Sequence, residues 1–184
     1  MDSIILCAWL FAPTAFANSA PVLANKIPFL VSFKTPLDLG LFFRGKRIFG
    51  DNKSIRGLIS GIFMGIVCGL LQFGFASQFQ NFANITSIVD YTDISILFYT
   101  ATIGAGVILG DAFESFFKRQ LDIAPGENWI PFDQLDFILG ALCVSFFFYT
   151  LSIPQYLIVL MLALFLHPTF NIISWLLGFQ EKPF

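Results

Sequence analysis

Long apolar runs divided by short charged segments constrain this chain more than any other feature. Five such runs follow one another: Ile4 to Leu23, Leu58 to Ala76, Ile94 to Leu109, Phe137 to Leu151 and Tyr156 to Leu177. Apolar runs of about 20 residues cross a bilayer as helices, because inside hydrocarbon every backbone N–H and C=O must find its partner within the protein. The third run is short for a full span unless its helix continues into the Asp111 face. Composition agrees: 57% of residues are apolar and 12% charged. That is too little charge for a soluble globular domain. The expected fold is therefore all-α, a polytopic integral membrane protein of about five transmembrane helices forming one domain over 1–184. Nothing suggests a nucleic-acid partner. Cys7, Cys68 and Cys143 lie in apolar runs without C-x-x-C pairing, so neither a zinc site nor a disulfide framework is indicated. Ala15-Phe16-Ala17 resembles a signal-peptidase site, but the segment before it lacks Lys and Arg, so the first helix is expected to be retained.

The distribution of charge sets the topology. Seven of the ten basic residues fall between Lys26 and Arg56, which makes the loop at about 26–56 cytoplasmic by the positive-inside rule. The segment from Ser77 to Asp93 has no Lys or Arg and fits the outer side. With the second charged loop, about 110–135, also inside, the amino terminus is outside and the tail from Glu181 to Phe184 is cytoplasmic. A four-crossing alternative holds if the first run is re-entrant. That run carries Pro13, Asn18 and Pro21, and is expected to be bent or broken and to line the interior.

Most of the chemistry sits in the stretch from Gly110 to Asp136, where eight charged side chains separate two apolar runs. If the preceding helix continues, Asp111, Glu114, Ser115 and Lys118 share one face. Asp133 and Asp136 stand three residues apart where the next run begins. Hard oxygen ligands beside Lys and Arg suit a magnesium-bound phosphate. A solvated loop whose charges merely flank the membrane is the alternative. Within the basic loop, RGKRIFGDNKSIRG sets Gly45, Gly50 and Gly57 among cations, so that backbone can approach phosphate, although it is no Walker A loop. Gly61, Gly65 and Gly69 form a small-residue stripe for close helix contact. In the last run His167 and Asn171 lie one turn apart on one face, as a functional pair or as a hydrogen-bonded packing pair.

Four fragments together resemble a known family: FAPTAFANSAPVLANK, TPLDLGLFFRGKRIFGDNKSIRGLISG, GDAFESFFKRQLDIAPGENWIPFDQLDF and HPTFNIISWLLGFQEKPF. They are similar, in order and over nearly the whole chain, to the CDP-archaeol synthase family, membrane cytidylyltransferases distantly similar to CDP-diacylglycerol synthases. The resemblance implies transfer of CMP from CTP to 2,3-bis-O-geranylgeranylglycerol 1-phosphate, an isoprenoid ether lipid phosphate, with release of pyrophosphate. It implies Mg2+ as cofactor, held by Asp111 and Asp133. Lys118 and Arg119 join these two as catalytic candidates. Arg47, Asp51, Lys53, Ser54, Arg56, Glu114, Ser115 and Asp136 are the substrate-binding candidates, with Asn18, His167 and Asn171 from the apolar runs. Position 54 is Ser where the family's K-T-x-R-G element has Thr. The glycine and histidine element that precedes the paired aspartates in the diacylglycerol enzymes is replaced by PGENWIPFD. A homodimer stays open. Two rival readings are a phosphatidate cytidylyltransferase acting on diacyl lipid and a non-catalytic membrane lipid-binding protein. The D-x-x-D-G-x-x-A-R sequence of phosphotransferases that consume CDP-lipids is absent.

Overall fold

The computed structural model describes residues 2–79, 89–91 and 93–178. Its elements are α1 (Asp2–Ala24), the single turn α2 (Pro28–Val31), two short strands β1 (Phe42–Phe43) and β2 (Lys46–Arg47), then α3 (Ile55–Gln78), α4 (Ile96–Gln120), α5 (Phe132–Ser145) and α6 (Ile153–Leu176). The helical membrane architecture expected from the apolar runs is present. Among the described residues α1, α3, α4 and α6 are long and apolar enough to cross a membrane. The fifth helix, α5, has 14 residues, about 21 Å at 1.5 Å per residue, and packs along α4. The tail from Glu181 to Phe184 and most of the polar segment after Ser77 lie outside the described residues.

The first run is not broken. Helix α1 continues through Pro13 and Pro21, which corrects the expectation of a break. A proline removes the hydrogen bond to the carbonyl four residues back, here that of Trp9. The Gln72 amide from α3 donates to that carbonyl at 2.6 Å, and the Tyr99 hydroxyl from α4 donates to the neighbouring Leu10 carbonyl at 2.9 Å. A buried side chain of α3 thus replaces the bond that Pro13 cannot make, and one of α4 adds a further donor beside it, which is how a membrane helix keeps an internal proline.

Helix α4 is central, with α3, α5 and α1 packed around it. It runs without interruption from the apolar stretch into the acidic face, as the spacing predicts. On one side Gly61 and Gly65 of α3 lie against Gly104 and Thr100 of α4; a Cβ on Gly65 would lie 3.4 Å from Gly104 Cα. On the other side Gly110 of α4 meets Gly140 of α5, where a Cβ on Gly110 would lie 2.9 Å from Gly140 Cα and would overlap the Asp136 carbonyl. Only hydrogen in place of a side chain lets these backbones touch. The second contact brings the residue after Gly110 and the residue four before Gly140 to the same level.

Candidate active site

That level is where the acidic residues meet. Ligand-capable oxygens of Asp111 and Glu114, from α4, and of Asp136, from α5, all lie within 4.8 Å of one another. Asp111 is also 2.6 Å from the Lys53 ammonium, which reaches in from the loop before α3. The pair expected to hold metal was Asp111 and Asp133, and the structure groups a different set. Asp133 sits in the first turn of α5, where its Oδ2 accepts the Trp129 N–H at 2.6 Å and its Oδ1 is paired with Lys118. A carboxylate at a helix N-terminus satisfies backbone donors that the helix itself leaves open. One turn further on, Asp136 faces Asp111 instead.

Lys118 makes three contacts. Its ammonium pairs with Asp133, lies 3.1 Å from Glu114 Oε1 and donates to the Glu127 carbonyl at 3.0 Å. Two of these are hydrogen bonds and the third is an ion pair alone, since Glu114 Oε1 has no hydrogen-bond partner among the described residues; together they tie α4, the loop after it and the start of α5. Arg119, beside it, forms no ion pair among the described residues, and its buried Nε has no hydrogen-bond partner there.

The basic loop is organised by an acid that sequence reasoning passed over. Asp38 is buried and accepts from Arg47 Nη2 at 2.7 Å, Arg47 Nε at 3.3 Å and the N–H groups of Phe49 at 2.9 Å, Gly50 at 3.0 Å and Gly40 at 3.0 Å. Burial alone would raise its pKa, but Arg47 and these backbone donors outweigh burial and hold the carboxyl well below the usual range. The signal was available: an Asp two residues before a Gly favours a turn closed by its own side chain. Between the strands, Arg44 and Gly45 both have positive φ (51° and 79°), the two-residue turn that matches strand twist. Lys46 then ties the hairpin to the end of α4 through Asp122 at 2.6 Å and the Gln120 carbonyl at 2.8 Å.

A cavity of about 430 Å3 forms over the acidic cluster. Of the candidates, Asn18, Asp51, Lys53, Asp111, Glu114, Ser115, Lys118, Arg119, Asp133, Asp136 and His167 line it, with Gly50 and Gly126 supplying backbone. Four candidates lie elsewhere. Arg47 is bound to Asp38 and to Asp51, the latter at 2.7 Å. Ser54 caps α3, its hydroxyl accepting the Gly57 N–H at 3.1 Å. Arg56 donates to the Leu30 carbonyl at 2.8 Å and to Asn25. Asn171 lines a second, apolar cavity of about 930 Å3 between α1, α5 and α6. Asn18 and His167 belong to the walls of both cavities, and the His167 ring stacks on Phe137 with centroids 5.2 Å apart. The polar chamber and the apolar groove therefore adjoin.

The "CarS-like: CDP-archaeol synthase" family model matches residues 1–184, the whole chain. The chain belongs to the CDP-archaeol synthase family. Among its relatives, the CDP-archaeol synthase of Methanospirillum hungatei is 35% identical over 168 residues, covering 88% of this chain and 96% of that protein. The CDP-archaeol synthase of Thermococcus onnurineus is 30% identical over 184 residues, covering 100% and 98%. A solved structure described as an intramembrane enzyme for archaeal membrane lipids biosynthesis superposes with a TM-score of 0.72 at 31% identity, covering 92% of this chain and 94% of its own. The resemblance expected from the four sequence fragments is borne out, and this CDP-archaeol synthase family member is a multi-pass membrane enzyme of lipid biosynthesis.

Proposed function

We propose that the protein transfers CMP from CTP to an isoprenoid ether lipid phosphate, giving a CDP-activated lipid and pyrophosphate. The observation that carries this reading is the junction of the two cavities. A nucleotide-sized polar chamber with three convergent carboxylates opens, at Asn18 and His167, onto an apolar groove about twice its volume. A lipid phosphate has the same two-part shape, and the junction is where its phosphate would meet a nucleotide.

Five acids and three bases line the chamber, so its own charge opposes binding of a triphosphate. Divalent cations resolve that conflict, and the hard oxygens of Asp111, Glu114 and Asp136, close enough to share one ion, suit Mg2+. When bound, Mg2+ neutralises the phosphates and favours departure of pyrophosphate. We assign its binding to those three residues, with Asp133 positioning rather than ligating. Arg119, whose guanidinium pairs with no anion among the described residues, binds phosphate oxygens, and Lys53 supplies a second cation beside Asp111. Lys118 positions Glu114 and Asp133. In the reaction a lipid phosphate oxygen forms a bond to the α-phosphorus of CTP, in line with the bond to the β-phosphate that breaks. The electron pair of that bond leaves with pyrophosphate, and no covalent enzyme intermediate is needed. The positive loop before α3 supports a cytoplasmic chamber in the cell membrane, where CTP is found, with five crossings and an outer amino terminus.

The test is pyrophosphate release by purified protein in lipid nanodiscs, with CTP, Mg2+ and a panel of ether and ester lipid phosphates. Turnover that requires both CTP and the geranylgeranyl ether phosphate is expected. No release with any lipid phosphate would overturn the assignment, and equal or greater release with diacyl phosphatidate would replace the substrate.

A further inference from the structure

The first part of the basic loop, directly after α1, has no place in the proposed reaction, yet it carries an exposed aromatic pair on the rim that holds the site. Phe29 is 72% and Phe33 55% exposed. They lie one helical turn apart, with ring centroids 5.4 Å from each other in edge-to-face contact. Helix α2, between Lys26 and Lys34, buries none of its residues. Neither lysine forms an ion pair among the described residues, whereas Lys46, Arg47, Lys53 and Lys118 all do.

Two membrane-spanning helices fix the level of this segment. It begins just after α1 ends at Ala24, and Arg56, in the first turn of α3, holds it through the Leu30 carbonyl at 2.8 Å and through Asn25. Apolar side chains of both spans are exposed alongside it, Leu23 on α1 and Ile59 on α3. Aromatic rings at the end of a span, flanked by unpaired lysines, have the composition of an element that lies in the plane of the membrane boundary. The lysine stems reach headgroup phosphates while the rings sit in the outermost hydrocarbon.

We propose that Lys26 to Lys34 is an interfacial anchor that docks on anionic headgroups of the surrounding leaflet, with Phe29 and Phe33 inserted at the boundary. The occupant is lipid rather than a second copy of the chain, because the unpaired lysines at both ends would face the same cations of an identical partner, whereas lipid phosphates complement them. Arg56 then couples this anchor to the start of α3 and is not a phosphate ligand of the chamber.

The experiment is spin labelling of the full chain at Phe29→Cys in a Cys143→Ser background, in nanodiscs of phosphatidylcholine with and without phosphatidylglycerol. Collision with oxygen and with a water-soluble nickel chelate reads depth. The expected label is shielded from nickel and reached by oxygen, at about 5–10 Å below the phosphates. A label at the exposed loop residue Asn128 should show the reverse. Replacing Lys26 and Lys34 by Ser should make the label shallower only in discs containing phosphatidylglycerol. A Phe33→Cys label gives an independent reading should Phe29→Cys fail to fold. Nickel access equal to that at Asn128 would overturn the proposal. So would shielding that persists in detergent and rises with protein concentration, which would assign the surface to a second copy, or an identical depth with and without the two lysines.

Discussion

Two acidic sites lie close to each other on the same rim, and they are built in opposite ways. Asp38 receives two guanidinium nitrogens and three backbone N–H groups, so both of its oxygens are saturated by the fold. Asp111, Glu114 and Asp136 crowd three carboxylates within 4.8 Å against Lys53 and one edge of Lys118. A carboxylate whose partners are all supplied by the protein shapes the loop around it. Carboxylates brought together with too few partners store a demand for cations that a ligand must meet. The first kind of site is architecture and the second is chemistry.

The largest effect that bears on this contrast is expected at the under-neutralised site. Asp111→Asn should lower pyrophosphate release by about 10³-fold or more, some 4 kcal/mol of transition-state stabilisation, while thermal stability in nanodiscs holds or rises as repulsion is relieved. Near wild-type turnover would remove Asp111 from the metal set. At the saturated site the pattern should invert. Asp38→Asn turns one acceptor oxygen into a donor facing N–H groups and should lose about 3 kcal/mol of stability, with magnesium affinity unchanged. A variant as stable as wild type would show the loop does not depend on Asp38.

Between these lies a change that moves backbone without altering charge. Gly140→Ala places a methyl against the backbone of Gly106 and Gly110, so α4 and α5 must separate. About 2 kcal/mol of stability should go, and turnover should fall because Asp136 is carried away from Asp111. Unchanged turnover would mean the cluster tolerates displacement. The smallest effect is in pH. Because Asp38 is held below its ordinary value near 3.8, its stabilisation is complete above that value and declines as pH falls through and below it. The melting-temperature gap between wild type and Asp38→Asn should therefore stay level from neutrality down to about pH 4 and narrow only on further acidification. A gap that widens on acidification would reverse the assigned sign.

Much of the site was legible because helical spacing is a property of the chain alone. Asp111, Glu114, Ser115 and Lys118 fall on one face at any position of α4, and all four line the chamber. The pairing of Asp133 was not legible. Whether the first or the second aspartate of a D-x-x-D step faces α4 depends on where α5 starts and how closely it approaches, and Gly110 and Gly140 settle both by backbone contact. The continuity of α1 was hidden for a similar reason, since the donor that replaces the hydrogen bond lost at Pro13 comes from Gln72, far away in sequence. Lys118 and Arg119 show the limit most plainly. They are adjacent and chemically alike, yet one hydrogen-bonds two acceptors and pairs with a third carboxylate, while the other forms no ion pair among the described residues.

The sequence by itself determined a helical membrane protein, because apolar run length and charge bias are local quantities that a bilayer reads directly, and four of its fragments carried the resemblance to the CDP-archaeol synthase family. Which carboxylates share a site, which cations are free, and where the polar chamber meets the apolar groove were decided by tertiary structure. Those outcomes turn on how closely two helices approach, and a single methyl group at Gly110 or Gly140 would overlap the facing backbone.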